Sequence, residues 1–237
     1  MLTVYKLTIR QLSSLSRLAI MATLAAMPVL ITALMLREND APTVKDFEQF
    51  VLSTMFAGSI LPLVVLATAA VAFSNEVEDK TLANLTLSPL RRWQIALPKL
   101  LASITIAAPL IVLSALLTAH IAFLGEWKAT IAIGVSALAA VAMYGSMFVW
   151  LGLASPQAIG TGLLYVVIWE GFFSQFVTGV RLLSIRHYSI ELMHVFDDRR
   201  FAQHDHLNTP ALLVMVALVI GGFLALTIRR LKRMDVP

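Results

Sequence analysis

Glu170 is the one carboxylate in an otherwise apolar run from Ala154 to about Val180. A charge at membrane depth is costly and is functional by default, facing a cavity or the bundle interior. Together with Gly171 it suits a hinge support, a hydrogen-bonding post or part of a substrate path. Equally, Glu170 can lie near an outer interface with Trp169 as a belt residue. The residues alone leave both readings open.

Other candidate groups do less chemistry. His187, His194, His204 and His206 accompany Asp197, Asp198 and Asp205, residue types that can bind zinc. The favoured reading is a solvated loop with no metal, and His120 reads as an interfacial or internally satisfied histidine. Asp197-Asp198 resembles half of a magnesium-diphosphate site, but no second acidic cluster completes it. The chain has no Gly-x-Ser-x-Gly elbow, no His-Glu-x-x-His and no phosphate loop ending in Lys-Ser or Lys-Thr. With no cysteine, thiol catalysis, disulfides and thiolate metal sites are also excluded. No catalytic residue is assigned, no cofactor is expected in this chain, and it is not expected to be an enzyme.

The elements that would position these groups are membrane helices. Of the 237 residues, 59% are hydrophobic and 14% charged, against about half and about a quarter in a soluble domain. Six apolar runs approach the roughly 20 residues a spanning helix needs, over about 18–36, 50–73, 98–124, 129–153, 154–180 and 209–228. The predicted fold is all-α: one membrane domain over residues 1–237, with six transmembrane helices and a broken or re-entrant fifth span at Trp169 to Phe173. Met1 to Arg17 alternates Leu2, Tyr5, Leu12 and Leu15 with Lys6, Arg10 and Arg17, the pattern of an interfacial helix.

Basic residues orient the chain. The amino terminus, the loop after the second span with Lys99, and the carboxyl tail hold eleven lysines and arginines; the other side holds seven. Both termini are therefore expected in the cytosol, and 181–208 becomes an outer loop. The net charge of +4 follows membrane orientation rather than a nucleic-acid stripe.

The cytosolic stretch from Ser74 to Trp93 carries the most information. Leu82 and Leu85 recur at helical spacing, acids lead the segment and Pro89 stops it. This is a short amphipathic helix followed by a basic return, suited to a groove on a cytosolic partner; an ordinary polar loop is the plainer alternative.

Glu76, Glu78, Thr81, Leu82, Leu85, Pro89, Arg91 and Lys99 together resemble the signature of ABC-type 2 exporter permeases. Lys80 departs from it, standing where that family often has glycine. The resemblance also covers the layout of the whole chain. It implies a half-transporter in the cytoplasmic (inner) membrane that pairs with a second permease copy or a homologous permease. It further implies two ATPase subunits, which would hold ATP and Mg, with residues 76–92, including Arg92, as the coupling helix.

On this reading ATP hydrolysis elsewhere drives export, and spans rich in Leu, Ala, Val, Ile and Met favour a hydrophobic or amphipathic cargo. The alternatives are a haem-exporter-type permease, for which no axial-ligand pair is singled out, and an ATP-independent secondary transporter, which would need more buried charge. A scaffold driving an outer partner would need a larger outer domain.

Overall fold

The computed structural model describes residues 1–37, 47–78, 91–173, 183–196 and 208–233. Within them the chain is helical: α1 (Leu2–Leu12), α2 (Leu15–Met35), α3 (Glu48–Ala69), α4 (Val71–Glu78), α5 (Trp93–Ala122), α6 (Trp127–Ala154), α7 (Ala158–Phe173), α8 (Ile185–Phe196) and α9 (Thr209–Arg233). Among these, α2, α3, α5, α6 and α9 are long and apolar enough to cross a membrane. The expected fifth span is represented by α7, which is shorter.

The amino-terminal helix forms because one face can be buried: Val4, Thr8 and Leu12 pack inward, and the Tyr5 hydroxyl meets Thr105 Oγ1 of α5 at 3.0 Å. In α2 the buried stripe is Met21, Ala25, Pro28 and Thr32, while Ile20, Leu30 and Leu34 point outward as lipid-facing residues do. Ser114 of α5 donates to the Ala25 carbonyl at 2.5 Å, the kind of interhelical hydrogen bond that replaces hydrophobic driving force in lipid.

The most buried spanning helix is α6, with Tyr144 and Phe148 fully enclosed. It follows α5 after a tight turn in which Leu124 and Gly125 both take positive φ. At the other end of α6, Gly152 faces the Ala70 carbonyl, where any Cβ would collide; the missing side chain lets the α3–α4 junction cross α6 closely. Arg230 of α9 donates Nε to the Leu153 carbonyl and Nη2 to the Ala154 carbonyl, both at 3.0 Å. That supplies a cation and donors to the carbonyls left over at a helix carboxyl end. By these contacts the last turn of α9 lies at the carboxyl end of α6.

Two stretches are wound more widely than an α-helix, Glu48–Ile60 in α3 and Tyr165–Phe173 in α7. In the first, Thr54 and Ser59 hydroxyls donate to carbonyls five residues back, Gln49 and Thr54. The winding tightens at Leu61, next to Pro62, whose missing N–H and ring disfavour an ordinary preceding turn. Insertions of this kind are concentrated at functional positions.

Candidate functional site

Two buried polar nodes tie the helices together at different heights. The first joins α4 to α5. Lys99 is only 1% exposed, and its Nζ reaches Glu76 Oε1 at 2.6 Å, donates to the Ala72 carbonyl and stands 4.5 Å from the Phe73 ring centroid. Desolvating an ion pair is costly, so the pair persists because each charge would be worse alone. Its effect is to fix the start of the expected coupling segment to the first turns of α5.

Three of the other expected coupling residues lie among the described residues at the edges of that segment. Glu78 is exposed at the last turn of α4; Arg91 is exposed and Arg92 half-buried just before α5. The Arg91 N–H donates to Gln94 Oε1 at 3.0 Å, a side chain reaching back over the first turn as in a capping box. Thr81, Leu82, Leu85 and Pro89 lie outside the described residues.

The second node is built around Glu170, which is fully buried. The wide winding of α7 puts Tyr165, five residues earlier, over the carboxylate, and its hydroxyl donates to Oε1 at 2.9 Å. The Ser184 hydroxyl donates to Oε2 at 2.5 Å and the Ile185 N–H to Oε1 at 3.0 Å. Glu170 therefore receives the first turn of α8 as well as a residue of its own helix. Arg186 completes the node, donating Nη1 to the Glu170 carbonyl at 3.3 Å and Nη2 to Ser53 Oγ at 2.7 Å and Thr54 Oγ1 at 3.4 Å. The Tyr144 hydroxyl of α6 faces the same charges without a hydrogen bond of ordinary geometry.

Further along α8, His194 Nε2 approaches Glu48 Oε1 at 2.6 Å. Arg186 thus meets the middle of α3 and His194 its first residue, so α8 runs antiparallel to α3. Gly58, beside Arg186, stands ten positions into α3, at most about 15 Å from that end by helical rise. An apolar cavity lies between α3, α6 and α8, walled by Leu52, Phe56, Ile133 and Met193.

Several expectations change against this geometry. Glu170 lies inside the protein rather than at an interface as a belt neighbour. The helix does not break at Trp169 to Phe173 but continues there in wider winding, and residues 174–182 lie outside the described set. Gly171 is exposed, and a Cβ on it would meet only ordinary contact, 3.5 Å from the Val166 carbonyl, so no close approach requires glycine. His194 is buried and paired rather than solvated, and part of the expected outer loop is the packed helix α8. His187 is half-buried, and His120 lies tilted against Trp127 with ring centroids 6.0 Å apart. His204 and His206, with Asp197, Asp198 and Asp205, lie outside the described residues. Among the described residues no three His, Cys, Asp or Glu side chains gather as metal ligands would.

Sequence reasoning missed Arg186, Ser53, Thr54 and Gly58. In the sequence Arg186 reads only as an outer-loop charge. The available signal was two adjacent hydroxyls and a glycine within one apolar span, since buried hydroxyls in membrane helices seek partners on other helices.

Long apolar helices with outward aliphatic faces define a multi-pass membrane protein. The family described as ABC-2 family transporter protein matches residues 14–185, and the chain belongs to it. A comparison with curated proteins finds no significant match. The chain is accordingly a membrane permease of an ABC-type transporter, a class that associates with an ABC ATPase subunit.

Proposed function

We propose that this chain is the membrane-spanning subunit of an ATP-driven exporter, moving a hydrophobic or amphipathic cargo. It works with a second permease copy and two ATPase subunits that carry ATP and Mg. It sits in the cytoplasmic membrane with both termini in the cytosol, and residues 76–92 receive the force of the ATPase.

The observation that carries this reading is the Lys99–Glu76 clasp, with Nζ also on the Ala72 carbonyl. A segment that only linked two spans would not need a buried charge pair at its root. A segment that transmits force does, because a push on it must move α4 and α5 together instead of bending their junction. The mostly aliphatic outward faces of α2 and α9 support a membrane setting. The basic residues of the terminal end, Arg229, Arg230, Lys232 and Arg233 among them, support a cytosolic side for it.

The test is purification of the permease from native membranes in mild detergent, with identification of bound proteins and an ATPase assay. An ATP-hydrolysing subunit recovered at equal stoichiometry is the expected result. A permease oligomer that never carries an ATPase, even under gentler extraction, would overturn the proposal in favour of secondary transport.

A further inference from the structure

We propose that the seam between α3 and α8 is the part of the membrane domain that opens when α3 is driven from residues 76–92, with Arg186 as the latch that holds it shut. The driving half of this statement rests on the function proposed above.

The argument starts from how the seam is made. It is fastened by polar contacts at two heights, Arg186 to Ser53 and Thr54, and His194 to Glu48. Beside them the seam borders the apolar cavity, which on α3 reaches from Leu52 to Leu61, on α8 from Ser189 to Met193, and is closed by Ile133 of α6. Side chains bordering a void have already forfeited part of their dispersion attraction, so this seam is less costly to part than a filled one.

The chemistry of the two faces of Arg186 separates what stays from what moves. Within the α7–α8 pair, the Glu170 carboxylate accepts from Tyr165, Ser184 and the Ile185 N–H, and contacts to an ionised acceptor are the strong ones. Across the seam at this height the guanidinium meets only two side-chain hydroxyls, whose places water can take, and the second fastening is the single His194–Glu48 contact. Three donors on one carboxylate hold the pair to itself, and at this height two exchangeable contacts hold it to α3.

The α3 side can also move. Ser53 and Thr54 sit in the wide-wound stretch Glu48–Ile60, and returning it to ordinary α winding would turn both hydroxyls away from Arg186. The same helix leads through Ala70 into α4 and the Glu76–Lys99 clasp. Displacement at residues 76–92 thus has a continuous helical path to the latch.

The chain has no cysteine, so one introduced thiol is the only one in the permease, and labelling is read on the permease band. Ser189→Cys is placed in the permease–ATPase complex in lipid nanodiscs, and its reaction with a charged methanethiosulfonate is timed. The rate is expected to be slow without nucleotide and to rise about tenfold on trapping with ATP and vanadate, the shift that loss of one charge-assisted hydrogen bond gives. Arg186→Gln is expected to give the fast rate without nucleotide. Ser53→Ala/Thr54→Val, which leaves Arg186 and Glu170 in place, is expected to do the same, and it keeps the test open if Arg186→Gln fails to fold. A thiol at Ser114, buried between α2 and α5, should stay slow throughout, where general loosening would expose it.

Unchanged rates in the folded latch variants would overturn the latch. A Ser189→Cys rate that nucleotide leaves unchanged in an ATPase-bound complex with Arg186 and its partners intact would overturn the opening. If no ATPase binds at all, the function proposed above fails instead, and the variants compared in the permease alone still decide whether Arg186 closes the seam.

Discussion

Arg186 lies against the bare backbone of Gly58: a Cβ on that glycine would stand 3.2 Å from Nη1, 3.3 Å from Cζ and 3.1 Å from the Ser53 carbonyl. The guanidinium occupies the space a side chain would fill, which is how a long cation from α8 reaches Ser53 and Thr54 on α3.

This contact separates two glycine substitutions that sequence alone would treat alike. In a helix, alanine for glycine gains about 1 kcal/mol. Gly171→Ala, whose Cβ meets only an ordinary contact, should show a gain of roughly 0.5–1 kcal/mol. Gly58→Ala should show none, or a loss of about 1 kcal/mol, because the crowding offsets the propensity. Thermal unfolding of the purified permease in one detergent checks the pair, and equal gains at both positions would mean that Arg186 does not rest on Gly58.

Glu170→Gln should impair ATP-driven activity far more than Glu126→Gln. The amide keeps the shape but loses the charge: with its oxygen kept on the Tyr165 hydroxyl and the Ile185 N–H, its NH2 takes the place of Oε2 and the Ser184 hydroxyl must turn from donor to acceptor. Exchanging charge-assisted bonds for neutral ones forfeits on the order of 1 kcal/mol each. Glu126 is exposed, just before α6, and has no comparable burial to lose. The measurement is ATPase activity of the reconstituted complex alongside the unfolding temperature, and equal behaviour of the two variants would sink the role given to Glu170.

For the other node, Glu76→Leu should be strongly destabilising, toward the range of about 3–5 kcal/mol that removing one partner of a buried pair costs, because it leaves the fully buried Lys99 without its counter-charge. The double variant Lys99→Met/Glu76→Leu should recover much of that stability, since no buried charge is then left alone. It should not recover nucleotide-driven activity, because an apolar contact does not fix α4 against α5 as the charge pair does. Unfolding and ATPase assays on both variants, read as a double-mutant cycle, check this. Full activity in the double variant would remove the clasp from the mechanism.

The sequence made the membrane helices legible because lipid enforces long uncharged runs, and α2, α5, α6 and α9 fall close to where hydropathy places them. It marked Glu170 because a carboxylate in such a run is conspicuous. It could not show what Glu170 meets, since Ser184 and Ile185 follow 14 and 15 residues later and read as loop. Arg186 was concealed by the same reasoning: a segment rich in Arg, His and Asp looks solvated until folding lays one face of it against α3. His194 pairs with Glu48 across 146 residues, a separation that local spacing cannot bridge. The wide winding of α3 leaves no mark in the pattern beyond Pro62.

The two edges of the coupling segment give the last prediction. Glu78 is exposed at the end of α4 and Arg91 is exposed before α5, so neither contributes to the core, and replacing them should leave insertion and unfolding temperature close to the parent. Surface changes of this kind stay within about 0.5 kcal/mol. If residues 76–92 dock on an ATPase, however, these charges lie at the interface, where they set orientation and association rate more than folding. Glu78→Ala and Arg91→Ala should each lower recovery of the ATPase subunit on the permease, and the loss should deepen as salt is raised because the remaining polar contacts are screened. Co-purification at two ionic strengths, with membrane yield of the permease as the control, measures it. Undiminished ATPase recovery and undiminished ATP-driven activity in both variants would show that these charges take no part in coupling.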